Sequence, residues 1–263
     1  MPSLPINNIR LTYQDQGSGT TVVLLHGLGS CKEDWQAQID HLAQHYRVIA
    51  LDLRGHGDSD KPRHGYSIRQ FAADVLGLLD ALACQHVHLI GFSLGGMIAQ
   101  EFAAHYPQRL HSVVVINATP AVVLDNWPLR KMFWGRLLTI QLRGVGYMAK
   151  LIAERNFPAP EQATLRAQVE AQFARNDKAA YFRSTRAIMN WDIRPQLPQI
   201  TCPLLAISSD NDYTPVSAKQ ALVDAVPQGQ LQVIAPARHL LPMEQPRALN
   251  DALEAWLSCH KSA

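Results

Sequence analysis

The chain has 263 residues, 47% of them hydrophobic, and its 24 Lys+Arg against 22 Asp+Glu give a formal net charge of +2. That length suits one large domain or two small ones with a sizeable core, and the apolar content excludes a disordered low-complexity chain. Lys and Arg are scattered along the sequence, which leaves no electrostatic basis for a nucleic-acid partner.

The first residues, MPSLPINNIRLTYQDQG, lack a charged segment followed by an apolar one, so no signal peptide is expected. No run of about 18 apolar residues occurs, and no membrane partner is expected. Cys31, Cys84, Cys202 and Cys259 form no CxxC pair and stand far apart, matching neither a zinc knuckle nor a disulfide framework. These features predict a soluble cytoplasmic protein with reduced thiols.

In chain order, short β-branched runs alternate with helical patterns. Strands are predicted at Thr21 to Leu25, Arg47 to Leu51, His86 to Ile90, Ser112 to Ile116, Pro203 to Ile207 and Leu231 to Ile234. Most are nearly continuous in apolar residues, as expected of strands covered by helices on both faces. Ser67 and Gln70 fit a capping box opening a helix with the stripe Ile68, Phe71, Val75, Leu79 and Leu82. A second helix runs from Leu94 to about Tyr106 and stops before Pro107. Thr214 and Pro215 fit an N-cap and first-turn pair for a helix through Val226. The last helix carries Leu249, Leu253, Trp256 and Leu257 on one face. The alternation predicts an α/β fold with a doubly wound, mostly parallel sheet.

That rhythm breaks over residues 121–197, where only helical patterning is found and aromatic residues are concentrated. The expected organisation is a core of residues 1–120 and 198–263, with 121–197 as an all-helical cap above the sheet edge. The cap's aromatics are expected chiefly to glue it to the core, with a few lining a pocket between the two.

The chemistry centres on Gly91-Phe92-Ser93-Leu94-Gly95, a G-x-S-x-G pattern that follows a predicted strand and opens a predicted helix. So tight a turn strains the backbone at the serine and needs flanking residues without side chains. A serine hydroxyl requires a base, and His239 follows the last predicted strand in a loop returning to the same sheet edge. His86 and His88 lie on a strand, His41, His45, His105 and His111 on helices or their ends, and His26 and His56 in glycine turns. No metal-ligand spacing appears, and neither metal nor cofactor is expected. The imidazole needs a carboxylate to fix its tautomer. Asp212 and Asp210 both lie just beyond the strand ending near Ile207; Asp212 is favoured.

The order Ser93, Asp212, His239 and the motifs Leu25-His26-Gly27-Leu28-Gly29, Asp52-Leu53-Arg54-Gly55-His56-Gly57-Asp58-Ser59 and Gly91-Phe92-Ser93-Leu94-Gly95-Gly96, with His239 followed by Glu244 and Pro246, resemble the α/β-hydrolase superfamily. The likeness covers nearly the whole chain except the helical insert. It is strongest to small esterases, 3-oxoadipate enol-lactonases and cofactor-free haloperoxidase-like enzymes. The resemblance implies a serine hydrolase of carboxylic esters or lactones, acting on a small-molecule substrate. It also implies an oxyanion hole from the backbone N–H groups of Leu28 and Leu94. It allows C–C bond hydrolysis, perhydrolysis or a lyase reaction on the same triad, and a non-catalytic ligand-binding member. Relatives whose nucleophile is an aspartate are excluded by Ser93. One departure from the pattern is that only three positions separate Asp212 from Pro215, where relatives have four.

Overall fold

The computed structural model describes residues 2–125 and 127–260. Eight strands form one sheet in the order β1-β2-β4-β3-β5-β6-β7-β8. They are β1 (Ser3–Ile6), β2 (Ile9–Gln16), β3 (Thr21–Leu25), β4 (Arg47–Leu51), β5 (Val87–Phe92), β6 (Leu110–Ile116), β7 (Leu204–Ser209) and β8 (Gly229–Ile234). Every pairing from β4 through β8 is parallel, whereas β1–β2 and β2–β4 are antiparallel. The α/β, mostly parallel sheet expected from the sequence is therefore present. The N-terminal hairpin lies outside the predicted strands, because the Pro5 and Asn7-Asn8 breaks and the polar IRLTYQDQ pattern hide an edge strand. Positive φ at Asn7 (47°) and Asn8 (62°) makes the two-residue turn.

Strand composition explains the layering. All residues of β3 and β5 are buried, and the sheet is covered on both sides. One core joins Val23, Leu25, Leu89 and Val113 to α2 (Ile68–Ala81) and α3 (Leu94–His105). The other joins Leu24, Ile90 and Val114 to α1 (Gln36–Leu42) and a C-terminal helix (Pro246–Cys259). Alternate residues of each strand thus serve opposite cores, as the two-residue period of a strand requires. Ser67 Oγ accepts the Gln70 N–H at 3.1 Å, but the Gln70 amide turns to Asp74 Oδ1 at 3.0 Å, so the cap is one-sided rather than a reciprocal box. Ser67→Ala is expected to lower stability by about 1 kcal/mol in urea unfolding, with the slope unchanged.

Between β6 and β7 lies a helical insertion of α4 (Trp127–Asn156), α5 (Ala163–Ala174) and α6 (Lys178–Ile188). Gly144, at φ 81° and ψ 175°, breaks α4 into two segments. An isolated antiparallel bridge between Ala121 and Asp192 pinches the two ends of the insertion together. Phe133, Phe157, Phe173 and Tyr181 are buried, and Trp191 Nε1 donates to Glu101 Oε2 of α3 at 2.8 Å. Trp127 and Trp134 differ from the packing role expected of them: they are 74% and 60% exposed. Among the described residues no helix is long and apolar enough to cross a membrane.

Candidate active site

The C-terminal ends of β3, β5, β6 and β7 converge on one edge, and each delivers part of the site. β5 runs directly into Ser93, which adopts φ 54° and ψ −114° before α3 begins. This positive-φ conformation is strained for a serine and aims its side chain off the sheet edge. The turn is possible only because its neighbours lack side chains. A Cβ on Gly91 would lie 2.1 Å from the Gly95 carbonyl oxygen, and one on Gly95 would lie 2.1 Å from that of Leu25.

His239 follows β8 in the loop before α8 (Leu241–Glu244). Its Nε2 lies 3.0 Å from Ser93 Oγ, and its Nδ1 lies 2.5 Å from Asp212 Oδ1. A carboxylate only accepts, so Nδ1 carries the proton and Nε2 is left to accept from the serine hydroxyl. Of the two candidate acids, Asp212 makes this contact, while Asp210 Oδ1 instead accepts the Ala237 N–H at 2.8 Å. Burial by itself would raise the Asp212 carboxyl. The hydrogen bond and charge of His239, with the charge of Lys219, outweigh that and hold it well below the usual carboxylate range.

The backbone around His239 is fixed by Asn117, which the sequence patterns do not single out, and by Glu244, which follows His239 in the motif. Asn117, at the end of β6 with φ 47°, donates through Nδ2 to the His239 carbonyl at 2.9 Å and to Ser209 Oγ at 2.8 Å. Its Oδ1 accepts the Ser209 N–H at 2.8 Å, tying the ends of β6 and β7 to the histidine loop. Glu244 Oε2 accepts the Arg238 N–H at 2.5 Å. The Tyr213 ring stacks on the imidazole at 4.1 Å between centroids, the Arg155 guanidinium lies 4.2 Å from the centre of the same tyrosine ring, and Asn156 donates to the tyrosine hydroxyl at 2.6 Å. The insertion therefore touches the site. An asparagine directly after a predicted strand is the one legible signal for Asn117.

Leu28 and Leu94 bracket the serine. Leu94 opens α3, so its N–H has no intrahelical acceptor. Leu28 lies in the turn after β3, where the Ser30 N–H returns to the Gly27 carbonyl at 3.2 Å. This turn is held from both sides. From the insertion, Asn176 Nδ2 donates to the Gly29 carbonyl at 2.6 Å, and Tyr181 and Phe173 lie where any side chain on Gly29 (φ +80°) would go. From below, the wholly buried Lys32 ammonium bonds Asp52 Oδ2 at 2.7 Å and Asp58 Oδ2 at 2.9 Å, and the Lys32 N–H donates to Asp52 Oδ1 at 2.8 Å. His26 Nε2 accepts the Leu53 N–H at 3.0 Å. The Asp52 to Ser59 motif thus serves the site indirectly, as the brace of the turn that carries Leu28.

A cavity of about 120 Å³ lies beside this turn, lined by Gly29, Cys31, Asp58, Lys61, Arg175 and Asn176 among others. Among the described residues no cluster of His, Cys, Asp and Glu has the arrangement of a metal site.

The sequence pattern of the alpha/beta hydrolase fold family matches residues 20–246, and the chain belongs to that family. It is 30% identical over 260 residues to 3-oxoadipate enol-lactonase 2 of Acinetobacter baylyi, covering 96% of this chain and 95% of that protein. Among solved structures it is similar to the enol-lactonase of Burkholderia xenovorans LB400, with a TM-score of 0.91 and 27% identity over 98% of this chain and 100% of that one. It is also similar to a thermophilic esterase of Thermogutta terrifontis, with a TM-score of 0.88 and 26% identity over 97% of this chain and 95% of that one.

Proposed function

We propose that the protein is a serine hydrolase that cleaves carboxylic esters or lactones of small, largely apolar substrates through an acyl-enzyme. The supporting observation is the unbroken relay from Ser93 Oγ through the His239 imidazole to Asp212, at 3.0 and 2.5 Å. In this reading His239 Nε2 takes the Ser93 proton as Oγ attacks the carbonyl carbon. The N–H groups of Leu28 and Leu94 stabilise the oxyanion, each worth about 3 kcal/mol by the precedent of single donor deletions. Collapse expels the alcohol, which leaves with the proton held on His239. Water, activated by the same imidazole, then frees the acid and restores Ser93. Asp212 stays ionised throughout and stabilises the imidazolium. Residues 121–197 act as a cap on a core of 1–120 and 198–263, and exclude water from the acyl pocket. The two similar enol-lactonases and the esterase support the ester or lactone class.

The test is a kinetic panel of p-nitrophenyl esters of graded chain length with simple lactones and an enol-lactone. A sharp optimum at a short acyl chain or at a lactone is expected; no turnover of any member would sink the reading. The panel includes a half-ester of a dicarboxylic acid beside its neutral diester, for a structural reason. Arg136 of α4 bonds the Tyr181 hydroxyl, its guanidinium lies 5.4 Å from the centre of that ring, and its Nε is buried without a hydrogen-bond partner. A preference for the anionic member that is lost in Arg136→Met would support Arg136 as its contact.

A further inference from the structure

The side of Asp212 that faces away from His239 carries a feature that the hydrolase reading does not use. Lys219, on the helix α7 (Val216–Asp224), has a fully buried side chain, and its ammonium lies 2.5 Å from Asp212 Oδ2, itself fully buried. The same ammonium donates to the Thr214 carbonyl at 2.7 Å and to Thr214 Oγ1 at 2.5 Å, which uses all three of its N–H groups. Thr214 Oγ1 donates in turn to Asp212 Oδ2 at 2.8 Å. The two carboxylate oxygens therefore have separate duties: Oδ1 meets the imidazole, and Oδ2 meets a cation and a hydroxyl.

The short turn after Asp212 explains how a lysine reaches this spot. With Pro215 only three positions after Asp212, Pro215 caps α7 rather than opening it, and Thr214 folds back onto the carboxylate instead of capping the helix as its sequence suggests. Lys219, in the first half of α7, meets both Asp212 and Thr214 of that turn through its ammonium.

We propose that Lys219 is a positioning residue: it locks the Asp212 carboxylate toward His239 and, by placing an ammonium behind that carboxylate, makes the imidazolium harder to form, so that the enzyme keeps its base free at lower pH. The inference rests on the serine hydrolase reading. The physics is a competition for one negative charge. In the resting site Asp212 and Lys219 neutralise each other beside a neutral imidazole. Once the imidazole is protonated, two cations share one carboxylate in a setting with little water to screen them. Burial pulls the Lys219 amine below its ordinary value, opposed by the charge and hydrogen bond of Asp212, whose own carboxyl is held low.

Other charged groups near the relay are engaged elsewhere. The Arg155 guanidinium lies over the Tyr213 ring, and Arg136 acts on that tyrosine from the insertion. Asp210 is committed to the Ala237 N–H and Glu244 to the Arg238 N–H. The strands against which α7 packs, β7 and β8, carry no titratable side chain.

The experiment is the pH dependence of kcat/KM for p-nitrophenyl acetate in the wild type, Lys219→Met and Lys219→Gln, with circular dichroism recorded at each pH. Removal of the charge is expected to move the acid limb of the profile up by about one pH unit in both variants. The amide introduced by Lys219→Gln can still donate to Oδ2, so kcat of that variant at high pH should stay within about threefold of the wild type. Lys219→Met leaves Oδ2 without that donor and should lose about tenfold or more. A folded variant whose profile superimposes on the wild type overturns the proposal, and so does failure of both variants to fold, which would make the lysine purely structural. Failure of the underlying reading looks different: there, Ser93→Ala would be as active as the wild type.

Discussion

Ser93→Ala is expected to lower kcat/KM for every ester in the panel by about 10,000-fold or more, while the protein unfolds at the same denaturant concentration within experimental scatter. The size follows from the geometry. Ser93 Oγ is the oxygen 3.0 Å from His239 Nε2, so its removal leaves the imidazole with no bound nucleophile to deprotonate. The fold should be indifferent, because the strain at φ 54° belongs to the turn and is no worse for alanine. His239→Ala should be nearly as damaging, and the losses should not add, since residues of one relay fail together. A fluorophosphonate probe gives an independent check. It should label wild-type Ser93 and leave the alanine variant untouched. Folded wild type that resists labelling would favour a ligand-binding protein that retains the relay without using it.

The sequence is informative where local chemistry dictates local shape. The G-x-S-x-G turn is forced by steric limits that reach only a few residues, so its strand, serine and helix can be read directly. His239 and Asp212 are legible because both follow predicted strands, and parallel strands deliver their following loops to one edge. Asp212 and Asp210 cannot be separated by that logic. Their difference lies in the three-residue turn to Pro215 and in contacts with the Ala237 N–H and Lys219, which join segments far apart in the chain. The same holds for Tyr213 stacked on His239 and for Asn117 beneath its loop. The N-terminal hairpin is hidden for another reason. An edge strand has one face in solvent, so its composition lacks the apolar run that marks the central strands. Composition makes Trp127 and Trp134 packing residues, and nothing in the structure explains their exposure.

Stability is expected to fall by about 4 to 5 kcal/mol between pH 7.5 and pH 5. Its source is a set of histidines that the fold buries in the neutral form. Burial pushes His26 down to about 4, against the pull of the Gly27 carbonyl. Burial, with His26 at its edge, pushes His56 down to about 3. Burial and the neighbouring His111 bring His88 to about 4. In the unfolded chain each returns to its ordinary value near 6.5. The unfolded state therefore binds more protons below that value, and stability that is fully present above it is lost as the pH falls toward the folded values. At pH 5 each histidine contributes a loss of about 2 kcal/mol. Asp34 acts with the opposite sign. Burial raises its carboxyl to about 6, so the folded state takes up a proton first and regains about 1 kcal/mol at pH 5. Asp212, held low, contributes stability above the ordinary carboxylate value and loses it only in stronger acid, outside this window. Urea unfolding at the two pH values measures the sum. His88→Leu, which removes a ring whose Nε2 is buried without a partner, should shrink the difference by about 2 kcal/mol. A midpoint that does not move between pH 7.5 and 5 would mean that the rings are charged in the folded state. Because His26 also braces the turn that carries Leu28 by accepting the Leu53 N–H, acid should loosen that turn as the fold weakens. Only activity lost while the circular dichroism is unchanged reports the titration of the relay itself.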